Sequence, residues 1–168
     1  MKRLTLVCIG ALAAGSMAAT PALAQHISPA NTNFDAIGPA QLTKGATSLS
    51  CTLTLSGTTG PDVGGGVADG GTITGGTNTG PGNCPLLTVD GGATFEIDTS
   101  TGTGGTGSLY NLVVRLAGTP VCSDAGPLPF TVINNGSGPS TIQFNSPVDP
   151  DCVVLANLST TPDINVVP

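Results

Sequence analysis

The chain has no tryptophan, one histidine, one tyrosine and four phenylalanines among 168 residues, and only 8% of its residues are charged. Each scarcity removes a class of function. Binding to nucleic acid needs clustered cations to displace counterions from phosphate, and the chain has four Lys and Arg in all. Lys2 and Arg3 stand at the extreme N-terminus, so residues 25–168 hold Lys44 and Arg115 against ten Asp and Glu, a net charge of −8. Nucleic acid is excluded as a partner. His26 is the only imidazole, and no G-x-S-x-G elbow supports a serine, so nucleophilic hydrolysis lacks its base. With no C-x-x-C pair and no internal histidine, zinc lacks its usual ligands. The run Gly64–Gly71 is followed by no Lys-Ser/Thr, and it does not recur at the nine-residue period of calcium-binding repeats. The aromatics are too few for a sugar-stacking platform, and three of the four phenylalanines fall in strand-like runs, where core packing is the default. No cofactor is expected, and the chain reads as non-enzymatic.

What is present begins with a leader. Met1-Lys2-Arg3 is cationic, Leu4–Ala14 is apolar, and Ala22-Leu23-Ala24 offers small residues at the two positions a signal peptidase reads. Residues 1–24 are expected to be a cleaved signal peptide, with the cut between Ala24 and Gln25. Gly10, Gly15, Ser16 and Thr20 interrupt the run, which argues against a membrane anchor needing roughly 20 apolar residues. Cys8 has no small residue before it, against a lipid-anchored cysteine. No transmembrane segment is expected in residues 25–168.

Export decides the cysteines. Cys51, Cys84, Cys122 and Cys152 are an even set in an oxidising space and read as two disulfides. Four cysteines allow three pairings. The favoured one is Cys51–Cys84 with Cys122–Cys152, because each bridge would staple a glycine-rich excursion to its own strand pair. Closing loops of about 30 residues would stabilise by roughly 3 kcal/mol each.

Residues 25–168 are expected to be one β-rich domain. The clearest local signal is Thr47–Gly57, where Leu49, Cys51, Leu53 and Leu55 alternate with Ser48, Ser50, Thr52 and Thr54, the period-two pattern of a half-buried strand. Shorter strands are expected at 84–89, 93–98, 109–117, 130–133, 140–145 and 152–158, punctuated by Gly, Pro, Asn and Asp. Residues 109–116 are apolar on both sides, as in a central strand. Asn134-Asn135-Gly136 marks a hairpin loop, and 163–167 is at most an edge strand after Pro162. Residues 25–46 read as an extended N-terminal arm with an edge strand near 33–36. Residues 57–82, holding eleven glycines, read as a long loop or flexible hairpin around Thr72-Ile73-Thr74. Seven to nine short antiparallel strands with no ordinary helix predict an all-β, disulfide-stapled sandwich or barrel.

The carboxylates offer two close pairs. Glu96 and Asp98 would share the wet face of a strand, as a solvated acidic face. Asp149 and Asp151 on a turn are weak calcium candidates, since an ordered calcium site usually takes six or more oxygens.

The segment Ile27-Ser28-Pro29-Ala30-Asn31-Thr32-Asn33-Phe34, continuing through Gly38-Pro39 and Leu42-Thr43-Lys44-Gly45 to Leu49–Gly57, resembles the secreted protein activators of alkane oxidation of Gram-negative bacteria. The later order, from Gly75-Gly76-Thr77 to Cys84, then Cys122 and Cys152, is similar too. The glycine excursion at 60–82 and Asp149-Pro150-Asp151 depart from that pattern. The resemblance implies a non-catalytic protein, secreted or on the outer cell surface, that assists growth on or uptake of long-chain alkanes at a hydrocarbon–water interface or the cell envelope. It transfers no catalytic residue. A structural subunit or adhesin of an extracellular matrix or fibre is the alternative, with an edge strand or the arm at 25–44 pairing with a neighbouring molecule.

Overall fold

The computed structural model describes residues 25–124 and 126–168, so the expected leader and its cleavage position after Ala24 lie outside the described residues. The strands are β1 (His26–Ser28), β2 (Asn33–Lys44), β3 (Thr47–Thr59), β4 (Gly70–Thr79), β5 (Leu87–Val89), β6 (Thr94–Thr101), β7 (Gly104–Tyr110), β8 (Val113–Leu116), β9 (Thr119–Ser123), β10 (Leu128–Ile133), β11 (Thr141–Asp149), β12 (Cys152–Thr161) and β13 (Asn165–Val167). One turn of 3-10 helix, Cys84–Leu86, precedes β5. Of the two expected architectures the chain adopts the barrel. Eight strands run in the order β3-β2-β12-β11-β10-β7-β6-β4, and β4 pairs back onto β3 to close the ring. Every neighbouring pair is antiparallel. Closure removes the free edges that an open sheet would expose.

Two expectations are corrected here. The arm at 25–46 is not a loose extension: β2 takes twelve of its residues and is bonded on one side to β3 and on the other to β12. The stretch 57–82 is not a long loop but takes the other form expected, a hairpin: β3 runs on to Thr59, and β4, Gly70–Thr79, holds Thr72-Ile73-Thr74 and pairs back onto it in the wall. The physical reason for both is the same. The barrel interior is narrow, and small residues take inward positions where an apolar side chain would have announced a strand.

The phenylalanines show this directly. Phe34, Phe95, Phe130 and Phe144 form one belt across the interior, with successive ring centroids 6.1, 6.3 and 5.8 Å apart. The first two contacts are edge-to-face, the arrangement the ring quadrupole favours. Each ring lies over a small residue directly across the ladder: Phe34 over Gly57, Phe95 over Gly71, Phe130 over Gly107 and Phe144 over Ala156. A Cβ added at Gly57 would stand 2.6 Å from Cζ of Phe34, and one at Gly71 would stand 2.6 Å from Cζ of Phe95. The glycines are the sockets of the aromatic core.

Outside, the wall is hydroxylic. Thr52, Thr54 and Thr58 of β3 face Thr79, Thr77 and Thr72 of β4. Thr99 and Thr106 share a hydrogen bond of 2.7 Å, and the Ser56 hydroxyl donates to Asp35 at 2.6 Å. Such cross-strand Thr and Ser pairs supply the sheet with short-range stabilisation at low net charge.

One end of the barrel is plugged by the two-stranded ribbon of β1 and β13. Ile27, Ile164 and Val166 of this plug are buried, and Ile27 exchanges backbone hydrogen bonds with Ala68. The edge strand expected at 163–167 is therefore β13. Asp163 fixes the chain just before it, accepting the Ser140 backbone N–H at 2.7 Å and the Asn165 side-chain amide at 2.9 Å. Partial burial pushes this carboxyl up, but the donors from Asn165 and Ser140 outweigh it and hold it below its usual value. A depressed folded-state pKa stabilises the fold above the unfolded carboxylate value of about 3.9, and the gain disappears as pH falls through the lowered one. Asp163→Asn is expected to lower the melting temperature at pH 7, and the gap to wild type should close on titration to pH 2. A gap of the same size at both pH values would rule out the ionised carboxylate as its source.

Candidate functional site: the capped barrel end

The other end is closed differently. β4 serves two neighbours: Gly70–Thr72 pair with β6 in the barrel wall, while Gly76 and Thr77 pair with β5. From β5 the sheet continues through β8 to β9 and folds across the barrel mouth as a cap. The chain leaves the wall for the cap at Asn111, whose φ of 60° ends β7. The single central strand expected over 109–117 is thus two strands, one in the wall and one in the cap. Likewise the strand expected from Cys84 starts only at Leu87, because Cys84-Pro85-Leu86 coils into the 3-10 turn.

Both disulfides belong to this cap, and they have the favoured pairing. Cys51–Cys84 ties the 3-10 turn to β3, and Cys122–Cys152 ties β9 to the first residue of β12. The cap is pinned at two strands that flank β2 in the ring, β3 and β12. Within it, the Arg115 guanidinium Nε donates to both Asp90 oxygens at 2.8 Å, and Nη1 donates to the Gly118 carbonyl at 3.0 Å, holding the β8–β9 hairpin against the end of β5.

Beneath the cap lies an apolar cavity of about 50 Å³. Its floor is Leu53, Leu55, Leu109, Leu128 and Phe144 from the wall, and its roof is Leu87, Val89, Leu112 and Val114 from the cap region. Ala40, Leu42, Leu49 and Val154 line the side where the cap does not reach, and these four are only partly buried. Gln41 and Asn78 contribute the polar atoms, and the Asn78 amide is turned to the Leu87 carbonyl at 3.3 Å. The alternation of β2 and β3 produces this side: Ala40 and Leu42 on one strand and Leu49 and Cys51 on the other point inward from paired positions.

The charges near the mouth are spent on one another. Lys44 Nζ lies 3.2 Å from Asp149 Oδ1, and the Asp151 backbone N–H donates to the same carboxylate at 2.9 Å. Burial pushes the Asp149 carboxyl up; hydrogen bonds from Asp151, Lys44 and Ser123 overcome it and hold it below its usual value. Among the described residues, the one group of three potential metal ligands is Asp149 with Cys122 and Cys152. Both sulfurs are in the disulfide and carry no thiolate to ligate with. Of the two calcium candidates, Asp149 has become a structural carboxylate and Asp151 stands exposed beside it. Glu96 and Asp98 are exposed on β6, where Asp98 accepts the Ser108 hydroxyl at 2.7 Å. His26 opens β1 at the plugged end, 2.9 Å from Asp69.

A family model described as alkane oxidation protein activator, PraA/PraB-like, matches residues 1–168. The chain belongs to the PraA/PraB-like family. No curated protein and no solved structure matches it. For this PraA/PraB-like chain, sequence reasoning found the cysteine pairs and the alternating strand β3 but not the cavity between them. Its lining residues run from Ala40 to Val154 and come from strands of the wall and of the cap, so no local motif marks them. The one available signal was Leu49 through Leu55 alternating into an interior whose opposite wall could not be placed.

Proposed function

We propose that the protein is a secreted, non-enzymatic factor that assists growth on or uptake of long-chain alkanes by associating with the hydrocarbon–water interface or the cell envelope. The observation that carries this reading is the outer wall of β2, β12 and β11, in a chain of a family named for activating alkane oxidation. Ile37 on β2 is 45% exposed and Leu155 on β12 is 39% exposed, set among Ser, Thr, Asn and Gln and flanked by Pro39. The Lys and Arg side chains of residues 25–168 are both in ion pairs, Lys44 with Asp149 and Arg115 with Asp90, so the wall offers no free cation to hold a hydration shell. On such a wall the exposed Ile37 and Leu155 gain on leaving water, while hydroxyls bonded across strands, as Ser56 is to Asp35, keep their partners. Two disulfides support an oxidising compartment. Among the described residues no helix is long and apolar enough to cross a membrane.

The fibre reading is the weaker of the two. Of its two donors, the segment 25–44 already has Asn33–Lys44 bonded to both neighbours inside the barrel, which leaves it the edge strand β9.

The purified protein is expected to lower hexadecane–water interfacial tension while eluting as a monomer, and Ile37→Asp with Leu155→Asp should remove most of that effect without altering the circular dichroism. Ordered polymers in the electron microscope, or a wild type that leaves the tension unchanged, would count against it.

A further inference from the structure

The cavity under the cap is separate from the outer wall, and its chemistry is narrower. We propose that the capped end is a binding site for the end of a neutral, linear alkyl chain, whose last few carbons pass Leu42, Leu49 and Val154 and stop against the roof formed by Val89 and Val114. The inference deepens the alkane reading above and rests on it for the source of the chain, an alkane. The pocket itself rests on geometry alone.

Four observations support it. The lining is apolar on floor, roof and open side, so water inside would find few partners, and an apolar guest loses nothing it could have bonded to. The volume sets the size of the guest. A cavity of roughly 150 Å³ lined by Leu, Ile and Phe houses a benzene ring; at about 50 Å³ this one admits a chain end and excludes a ring. The open side is hydrophobic as well: Ala40, Leu42, Leu49 and Val154 remain partly exposed, so the rest of the chain can lie across them. Charge selects the head group. A carboxylate drawn onto the apolar open side would lose its water with no free cation there to replace it. Lys44, which stands at the top of β2, has its ammonium engaged by Asp149, and Arg115 is held by Asp90. A neutral chain is therefore favoured over a fatty-acid anion.

The test is an NMR titration of the full chain, labelled at Leu and Val methyl groups, with n-octane, octanoate and cyclohexane in separate arms. Saturable shifts confined to the methyls that line the cavity, among them Leu42, Leu49, Leu53, Val89, Val114 and Val154, are expected with octane. Octanoate should bind at least tenfold more weakly, and cyclohexane should give no saturable shift at these methyls. Ala40→Phe, which places a ring in the cavity, should weaken octane binding at least tenfold; should it fail to fold, Leu49→Phe fills the same space from β3. Absence of saturation with octane, octanoate binding as tight as octane, or undiminished octane binding in the filled variant would each overturn the site. The interfacial assay reads the other proposal separately. A surface-active protein without methyl shifts loses the pocket alone, and methyl shifts without surface activity lose the interfacial reading alone.

Discussion

Gly57→Val is expected to destabilise the protein by about 3 kcal/mol or more, although it replaces the smallest residue with a good strand former. In an ordinary strand the substitution would be favourable, because glycine weakens a strand interior and valine fits a pleated surface. Here the added Cβ alone would come within 2.6 Å of Cζ and 2.9 Å of Cε1 of Phe34, and within 3.1 Å of the Thr72 carbonyl oxygen. The ring has little room to yield, since Phe34 packs edge-on against Phe95, which packs against Phe130 in turn. Overpacking typically costs 1–3 kcal/mol, and a β-branched residue adds two methyl groups beyond the clashing Cβ. Against a typical total of 5–15 kcal/mol, the loss should appear as a fall of roughly 10 °C in melting temperature. Phe34→Ala alone should cost about 3–5 kcal/mol. The double variant should lose clearly less than the two together, because both changes act on one contact. Urea unfolding of the four proteins measures the coupling. A neutral Gly57→Val, or strict additivity, would show that Gly57 is not a socket for the ring.

The same pairing explains which parts of the fold could be read in advance. β3 is legible because its inward positions are Cys51, Leu53 and Leu55, and alternation with Thr and Ser is then visible. β4 and β7 sit in the same wall but place Gly71 and Gly107 opposite Phe95 and Phe130, so their sequences look like loops. Their partners' side chains fill the interior in their stead. A hydrophobic pattern records only the large half of each large–small pair, and the small half becomes legible only when register is known. The division of 109–117 at Asn111 was hidden for another reason. Apolar residues continue on both sides of the turn because the wall and the cap face the same core. The cavity was beyond reach of sequence altogether, since it exists only where cap and wall meet. The disulfides were legible because compartment and count narrow them to three pairings, and the cap makes the favoured pairing the useful one.

Removing Cys122–Cys152 is expected to free the cap before it unfolds the barrel. The bridge closes a loop spanning 30 residues, and the chain-entropy model assigns that about 3–4 kcal/mol. Where the loss falls depends on what else holds the cap. Along its inner edge, β5 is bonded to β4 through two register positions only, Gly76↔Val89 and Thr77↔Thr88. Along its outer edge, β9 is the last strand of the sheet, and apart from the chain's own continuation to β10 its covalent link to the barrel is Cys122. Around β2, β3 and β12, by contrast, the barrel is held by long ladders, twelve positions between β2 and β3 and eight each for β3 with β4 and β2 with β12, although the β4–β6 seam has three. The Cys122→Ala/Cys152→Ala variant should therefore show amide exchange in β5, β8 and β9 faster by a hundredfold or more, while β2, β3 and β12 keep protection close to the global limit. The Arg115–Asp90 pair lies within the cap and would travel with it. The second bridge, Cys51–Cys84, spans 33 residues and anchors the inner side, so removing both should cost of the order of 7 kcal/mol, enough to leave the whole fold marginal. Native-state hydrogen exchange separates the two levels. Should cap and barrel amides in the single-bridge variant accelerate together, the cap is an inseparable part of the barrel's cooperative unit; cap amides with unchanged protection would show that β9 is held down by packing and not by its bridge.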